Sequence, residues 1–352
     1  MEISRSRPDE EQEPMTRNQT TVTTTVAATL VLVLAGCAST AAPKPADPSA
    51  ASDQGYPVSV ENCGRALTFD SAPQRVVSLW QAPTEMMLAL GLRDRLVARA
   101  GDYADYPASV ARQVGDVPSI GTSMSWPSKE VLLNEDPDLV LGQSLAGYAF
   151  DSSQGYASVE EIERGGAQVY GANVCDADGG DALRMTLDTP IRTLRDLGKI
   201  FGVSDRAHEL IAQLESEKQA VVDAVKGKPN VKVAFYNGGE GPLIVLAGGI
   251  YDSAITTAGG TDVFPADSVY VSKEDFAVCD ADVILVGTFT GQDFSTLRAY
   301  LVQTFPDLPA VKNGRIAEVP VADTDASISV MRGLTEIANG LHPGLNLPVP
   351  AS

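Results

Sequence analysis

The sequence predicts an α/β protein of two Rossmann-like lobes with mostly parallel sheets, joined by one long α-helix. Three observations carry that expectation. First, a passage occurs twice: Ser128-Lys129-Glu130 leads through Asp136-Pro137-Asp138 into an apolar run, and Ser272-Lys273-Glu274 leads through Asp280-Ala281-Asp282 into another. Each copy reads as a short helix opened by a serine cap, a tight turn and a buried strand. Second, strand-like runs alternate with helical patterns in both halves of the chain, the signature of largely parallel sheets. Third, a helical pattern capped by Ser204 runs on to Gly227, about 30 Å at the usual rise per residue. That length can carry the chain from one lobe into the next.

The elements follow in order. Residues 58–60 and 66–69 read as a small hairpin around Asn62-Cys63-Gly64, and 75–79 as a buried strand. Pro83-Thr84-Glu85 opens a helix ending at Gly91. Strand 95–99, helix 107–113, helix 128–134, strand 138–141, helix 158–164 and strand 167–170 complete the first lobe. Met185, Leu187, Ile191, Leu194, Leu197 and Ile200 recur at helical spacing before Gly202. The second lobe begins at 231–236 and continues with strand 243–246, helix 251–258, the repeated unit, helix 293–304, strand 315–319 and helix 326–341. Gly238-Gly239-Glu240-Gly241 lies between two strands and reads as a turn. The expected boundaries are 1–37 for a leader, 38–55 for a linker, 56–203 for the N-terminal lobe, 204–227 for the connecting helix and 228–348 for the C-terminal lobe.

Composition narrows the function. The 352 residues are 44% apolar and 20% charged, which supports a globular body with a large core. Acidic residues outnumber Lys and Arg by 46 to 26, an excess that argues against a nucleic-acid partner. Val26–Ala35 is an apolar run too short to span a bilayer, and it ends in Leu34-Ala35-Gly36-Cys37. This ending resembles a bacterial lipoprotein signal, which makes Cys37 the lipidated N-terminus of the mature chain. Met15, followed by Arg17, gives a more ordinary start to such a signal than Met1. The proline-rich 38–55 stretch cannot bury a core and reads as a flexible tether. The expected location is therefore the extracytoplasmic face of a cell membrane, lipid-anchored.

An oxidising location permits disulfides. Cys63 and Cys175 each flank a turn in the first half and are expected to pair, leaving Cys279 as a buried free thiol. The sequence lacks a nucleophile elbow, a phosphate-cradling glycine loop and a histidine-glutamate helix motif, so no catalytic residue is assigned. Only two histidines occur: His208 on the long helix and His342 beside Pro343. Neither suggests a metal centre, and no cofactor is expected.

Several passages together resemble one family. The segment Arg75–Leu79, then Thr84–Gly91, then Leu96-Val97 is similar to the opening of the helical-backbone substrate-binding proteins of ABC importers for ferric siderophores, haem and cobalamin. Ala258-Gly259-Gly260 through Phe264 resembles their second-lobe glycine turn, and the two Ser-Lys-Glu passages resemble their docking segments. The resemblance covers residues 56–343 in order. It implies that Glu130 and Glu274 meet arginines of an ABC permease that works with ATP-binding subunits. It also implies a ligand cleft between the lobes, at the ends of the first strands of each. The candidates there are Trp80, Gln81, Trp126 and Tyr148 from the first lobe, and Tyr236, Asn237, Tyr251, Phe289 and Arg332 from the second. Glu85 reads as a cap or local structural partner.

Aromatic walls with a few polar groups suit a bulky, partly apolar chelate. A ferric siderophore is the first expectation, with a near-neutral hydroxamate favoured because Arg332 is the one arginine placed at the cleft. Cobalamin or another large cofactor precursor is the alternative. A tethered receptor or scaffold lipoprotein without a transport role is a third reading. The protein is expected to act as a monomer, and the single helical connection predicts small lobe closure.

Overall fold

The computed structural model describes residues 55–122, 125–175 and 182–351. Cys37 and the leader and linker expectations lie outside them. A two-stranded antiparallel hairpin of β1 (Val58–Asn62) and β2 (Arg65–Phe69) precedes the first lobe. That lobe contains β3 (Val76–Ser78), α1 (Gln81–Ala89), β4 (Leu96–Arg99), α2 (Ala111–Val114), α3 (Lys129–Asn134), β5 (Leu139–Gly142), α4 (Val159–Arg164), β6 (Gln168–Gly171) and α5 (Thr189–Ile200). Helix α6 (Ser204–Val225) then leads to the second lobe. There follow β7 (Val231–Tyr236), β8 (Leu243–Ile244), α7 (Gly249–Thr257), β9 (Gly260–Asp262), β10 (Tyr270–Val271), α8 (Lys273–Ala277), β11 (Val283–Thr288), α9 (Phe294–Thr304), α10 (Pro309–Lys312), β12 (Ile316–Pro320) and α11 (Val330–Leu341).

The two main sheets share one topology. In the N lobe the parallel order is β4-β3-β5-β6, and in the C lobe it is β9-β7-β11-β12. In each, the first strand sits inside the sheet with its successor on one side and the later pair on the other. Chain direction reverses its progress across the sheet at that first strand, and crevices open at the carboxyl ends of strands around such a point.

The repeated passage occupies the same place in both sheets. Asp138 follows α3 and its carboxylate accepts from the backbone N of Gln74 and Arg75, at 2.6 and 2.9 Å, while its own N donates to Arg75 O. Asp282 follows α8 and does the same for Lys232: its carboxylate accepts from Lys232 N at 3.0 Å, and its N donates to Lys232 O at 2.8 Å. The second aspartate of each copy thus locks the third strand of a lobe to the start of the first. Ser128 and Ser272 cap their helices by accepting from Val131 N and Asp275 N.

Helix α6 packs on α5 and α11 through Ala207, Ile211, Leu214 and Val221, spaced to share one face. Gly198 permits the α5–α6 approach, because a Cβ there would lie 2.5 Å from that of Ala207. One apolar core runs through both lobes beneath these helices, while each lobe also has a smaller cluster on the other side of its sheet.

Several boundaries differ from expectation for identifiable reasons. Helix α1 starts at Gln81, since Pro83 falls in the first turn, where a missing N–H leaves no bond unmade. Ser204 does not cap α6; Val203 stands at that position, and the Ser204 hydroxyl donates back to Gly198 O at 3.4 Å. The expected helix 107–113 shortens to α2. The expected helix 326–341 begins at Val330, after a 3-10 turn at Val321–Thr324. The short β9, β10 and α10 carried too little periodicity to be read. Cys63 and Cys175 form a disulfide between the hairpin turn and the chain after β6, and Cys279 is a half-buried free thiol.

Candidate functional site

The N-lobe wall of the crevice is a row of aromatic rings carried by the loops that leave the strands. Trp80 follows β3 in extended conformation and stands ahead of α1. Its ring lies 4.9 Å from that of Tyr103 and is stacked 6.1 Å from that of Trp126. Trp126 in turn meets Tyr148 at 6.0 Å and Tyr156 at 5.9 Å, both edge-on. Trp126 is fixed by Nε1 donating to Leu79 O at 2.8 Å. Gly101 is required beside it: φ is +74°, and a Cβ would sit 2.6 Å from Leu79 O and 3.1 Å from Trp126 Nε1. Tyr148 is 59% exposed and ends the row in solvent. Trp80, Trp126 and Tyr148 are therefore brought together.

Gln81 has a different place from the one expected. It is wholly buried, with Oε1 accepting from Tyr103 N and Ala104 N at 3.0 and 2.9 Å, and Nε2 donating to Glu85 Oε1 at 2.9 Å. Every amide function is used within the N lobe, so Gln81 positions the loop that carries Tyr103 and is no ligand contact.

The facing wall comes from the C lobe. The carboxylate of Asp325 accepts from Trp80 Nε1 at 2.9 Å and from the Tyr103 hydroxyl through the same oxygen. Burial and the Asp325 charge both hold the Tyr103 phenol well above its ordinary pKa. Tyr251 stands close by: burial, then the Asp325 charge, raises its phenol pKa, and its ring meets Phe235 edge-on at 5.9 Å. Glu85 reaches Ser329 Oγ at 3.3 Å, and Asp105 N donates to Thr290 Oγ1 at 3.1 Å, so the seam between lobes is bonded at several points.

Beside this seam lies a cavity of about 360 Å³ lined from both lobes, Tyr106 and Asp105 on one side, Phe289, Glu318, Asp323 and Arg332 on the other. Phe289 is 40% exposed at its rim. Arg332 is the one basic residue among the described lining, and its Nη2 lies 3.3 Å from Asp323 Oδ2, while its buried Nε has no partner. Burial raises the Glu336 carboxyl to about 8, with the Asp323 charge adding and Arg332 opposing. Burial likewise raises Glu85 to about 7, against the hydrogen bond from Gln81. The cavity is rich in carboxylates, and its one cation is already paired.

Two expected C-lobe contacts are corrected. Successive residues of β7 point to opposite faces of the sheet: Phe235 joins the large core, and Tyr236 enters the smaller C-lobe cluster. There Tyr236 is 1% exposed, stacks on Tyr300 and meets Phe276, with its hydroxyl donating to Gly239 O. Burial pushes that phenol up to about 12. Asn237 is buried at the strand end, and its Nδ2 donates to Gly287 O at 3.1 Å, tying β7 to β11. Tyr236 thus belongs to the core, and Asn237 to the frame of the crevice.

Tyr103, Tyr156 and Asp325 were missed. The signal for Tyr103 was its place just past the end of the second strand; Asp325 gave none, because its partners lie more than two hundred residues away in sequence. Glu130 and Glu274 are both exposed in the first turns of α3 and α8. The Glu130 carboxyl is held below its ordinary pKa by a backbone hydrogen bond and then by Ser128. Among the described residues there is no group of three or more His, Cys, Asp and Glu able to hold a metal. His208 is exposed on α6, and His342 is buried against Ala258 O at 2.9 Å. No helix among the described residues is long and apolar enough to cross a membrane.

This geometry has known relatives. The model of a family described as periplasmic binding protein matches residues 76–322. An uncharacterized ABC transporter substrate-binding lipoprotein of Bacillus subtilis is 23% identical over 323 residues, covering 89% of this chain and 94% of the relative. A cobalamin-binding protein of Halobacterium salinarum is 26% identical over 274 residues, covering 74% of this chain and 68% of the relative. Among solved structures, one from Saccharomonospora viridis described as an ABC-type Fe3+-hydroxamate transport system superimposes with a TM-score of 0.65 at 27% identity, covering 81% of this chain and 99% of that one.

Proposed function

The chain belongs to the periplasmic binding protein family, and from that premise we propose that it captures a ferric siderophore between its lobes and delivers it to an ABC-type permease. The observation that carries the cargo assignment is an aromatic row at the seam between the lobes with a carboxylate-rich cavity beside that seam. Tyr148 and Trp126 offer aromatic surface to a bulky chelate, with the buried Trp80 stacked on Trp126. In the cavity beside the seam, Arg332 is neutralised by Asp323 among further carboxylates, a setting that disfavours an anionic catecholate or citrate complex and favours a neutral or cationic ferric hydroxamate. The likeness to the hydroxamate-transport structure supports this choice.

A second reading, a corrinoid cargo, is favoured by the same aromatic row, which suits a flat macrocycle, and by the cobalamin-binding relative. A thermal-shift screen of the full chain against ferric hydroxamates, their iron-free forms, cobalamin and haem separates these. A ligand at a hundred times its dissociation constant adds about 2.7 kcal/mol. Stabilisation by the ferric chelate and not its iron-free form supports the siderophore; a response to cobalamin alone makes the corrinoid the cargo.

Delivery rests on Glu130 and Glu274, exposed at equivalent positions of the two lobes and able to accept bidentate arginine bonds from a permease. Such rim charges set orientation and encounter rate more than affinity. Reversing both to lysine is expected to abolish uptake while leaving ligand affinity intact. Unchanged uptake would turn the assignment to a tethered receptor or scaffold. In this reading Cys37 carries the lipid anchor, and lobe closure is small, because α6 and the bonded seam restrict hinge motion.

A further inference from the structure

The repeated unit that places Glu130 and Glu274 is alike in backbone in the two lobes and unlike in surface. In the N lobe, Trp126 stands two residues ahead of the cap Ser128, and Asn134 follows Glu130 by one helical turn. In the C lobe the same positions hold Tyr270, ahead of Ser272, and Val278, after Glu274. Trp126 is half-buried, with Nε1 bound to Leu79 O, and Asn134 is polar. Tyr270 is 66% exposed and Val278 80%, the two most exposed large apolar side chains among the described residues. Val269, next to Tyr270, is 56% exposed. Around Glu130 the one comparable side chain is Val131, at 44%.

Tyr270, Glu274 and Val278 share the outer side of one segment. Val271 and Phe276 turn inward to the same small C-lobe cluster. Successive strand residues alternate sides, so Tyr270 faces away from Val271 and the cluster. On α8, residues four apart share a face and residues two apart do not, so Glu274 and Val278 stand together, away from Phe276. Lys273 does not pair with Glu274. Its ammonium lies 5.8 Å from the centre of the Tyr300 ring, and its stem runs beside Gly241, where a Cβ would be 3.1 Å from Lys273 Cε. Tyr300 in turn donates to Glu240 O at 3.1 Å. The glycine-rich turn thus holds the lysine back from the glutamate. Lys129 is drawn off from Glu130 in the same sense, by Glu161 at 2.8 Å.

We propose that Tyr270 and Val278, before and after Glu274, form an apolar docking patch for the ABC permease, so that the two lobes meet it by different chemistry and in one orientation only. The patch presupposes the delivery role assigned above to Glu130 and Glu274. Large apolar side chains clustered at the surface inside a charged rim mark a contact surface. This one continues the face that carries Glu274 and is bordered by the exposed Asp275 and Glu240. Its complement is an arginine set beside apolar side chains on the partner, whereas the N-lobe surface suits an arginine among polar groups. Exchanging the lobes would set the partner's apolar side chains against Asn134 and leave Val278 against polar ones, which penalises the reversed complex.

The test is photo-crosslinking in the cells that make the protein, with Tyr270, Glu274 or Val278 of the full chain replaced by p-benzoylphenylalanine and each adduct identified by mass spectrometry. The same permease subunit is expected from all three. Its capture from position 274 but not from 270 and 278, or capture of another protein at those two, would overturn the patch and leave the delivery role standing. No permease adduct at any of the three would remove both. Val278→Asp is expected to lower the yield of the position-270 adduct about tenfold, the scale of setting a charge in an apolar contact, with the melting temperature unchanged. Asn134→Asp, the matching change in the N lobe, is expected to stay within about twofold of the parent. Equal losses from the two variants would overturn the one-way orientation.

Discussion

Trp80 and Asp325, 245 residues apart in sequence, are joined across the two lobes by a hydrogen bond of 2.9 Å. The same carboxylate oxygen accepts from Tyr103, so one C-lobe side chain fastens the polar edges of two N-lobe rings. The aromatic row is thereby both a candidate ligand surface and part of the seam.

Asp325→Ala is expected to lower the stability of the unliganded protein by about 2 kcal/mol or more, because two largely buried donors lose a charged acceptor. Denaturant unfolding measures the loss. Asp325→Asn, which keeps an acceptor oxygen, is expected to lose less. Equal effects of the two would mean that the contact is incidental.

Glu85 gives the seam a pH dependence. Its carboxyl rises from 4.5 to about 7, chiefly through burial. The folded state therefore holds the proton more tightly than the unfolded chain. That contribution to stability is complete below about 4.5 and is lost as pH rises through about 7. Glu85→Gln removes it: the variant is expected to gain on the parent between about pH 5 and pH 8, by up to about 3 kcal/mol. Asp262 and Glu336 are raised in the same sense, so the difference between variant and parent is the quantity to follow.

Tyr148 separates binding from folding. It is largely exposed at the open end of the row, so Tyr148→Ala is expected to change stability by less than about 0.5 kcal/mol. Cargo affinity is expected to fall about tenfold, the scale of one lost aromatic contact. Undiminished affinity would place the cargo elsewhere along the crevice.

The hairpin and first sheet are stapled by Cys63–Cys175, at a sequence separation of 112. Closing so long a loop stabilises by up to about 4–5 kcal/mol in the chain-entropy model. Unfolding midpoints with and without dithiothreitol test this, and a shift of comparable size is expected.

Much of this fold was legible because its evidence is local. Both copies of the Ser-Lys-Glu unit carry their own cap, turn and strand, so α3–β5 and α8–β11 could be read within short windows, and their equivalence followed. Trp80, Trp126 and Tyr148 could be placed because they follow strands or sit in loops between elements. Tyr236 was misplaced because a residue near a strand end still obeys the two-residue alternation, and that alternation points it away from the crevice. Gln81 was misplaced because burial at a helix start depends on the loop packed over it, which no local pattern records. Asp325 was invisible for the same reason: its role exists only once two distant lobes meet.

The central claim, that the aromatic row receives the cargo, has a direct measurement. The chain contains two tryptophans, Trp80 and Trp126, and their stacked rings are 6.1 Å apart within that row. Intrinsic tryptophan fluorescence of the full chain therefore reports on the site alone. The account predicts saturable quenching by a ferric hydroxamate, with the iron-free hydroxamate inert. A bulky chelate that binds by calorimetry yet leaves both tryptophans unperturbed would contradict it.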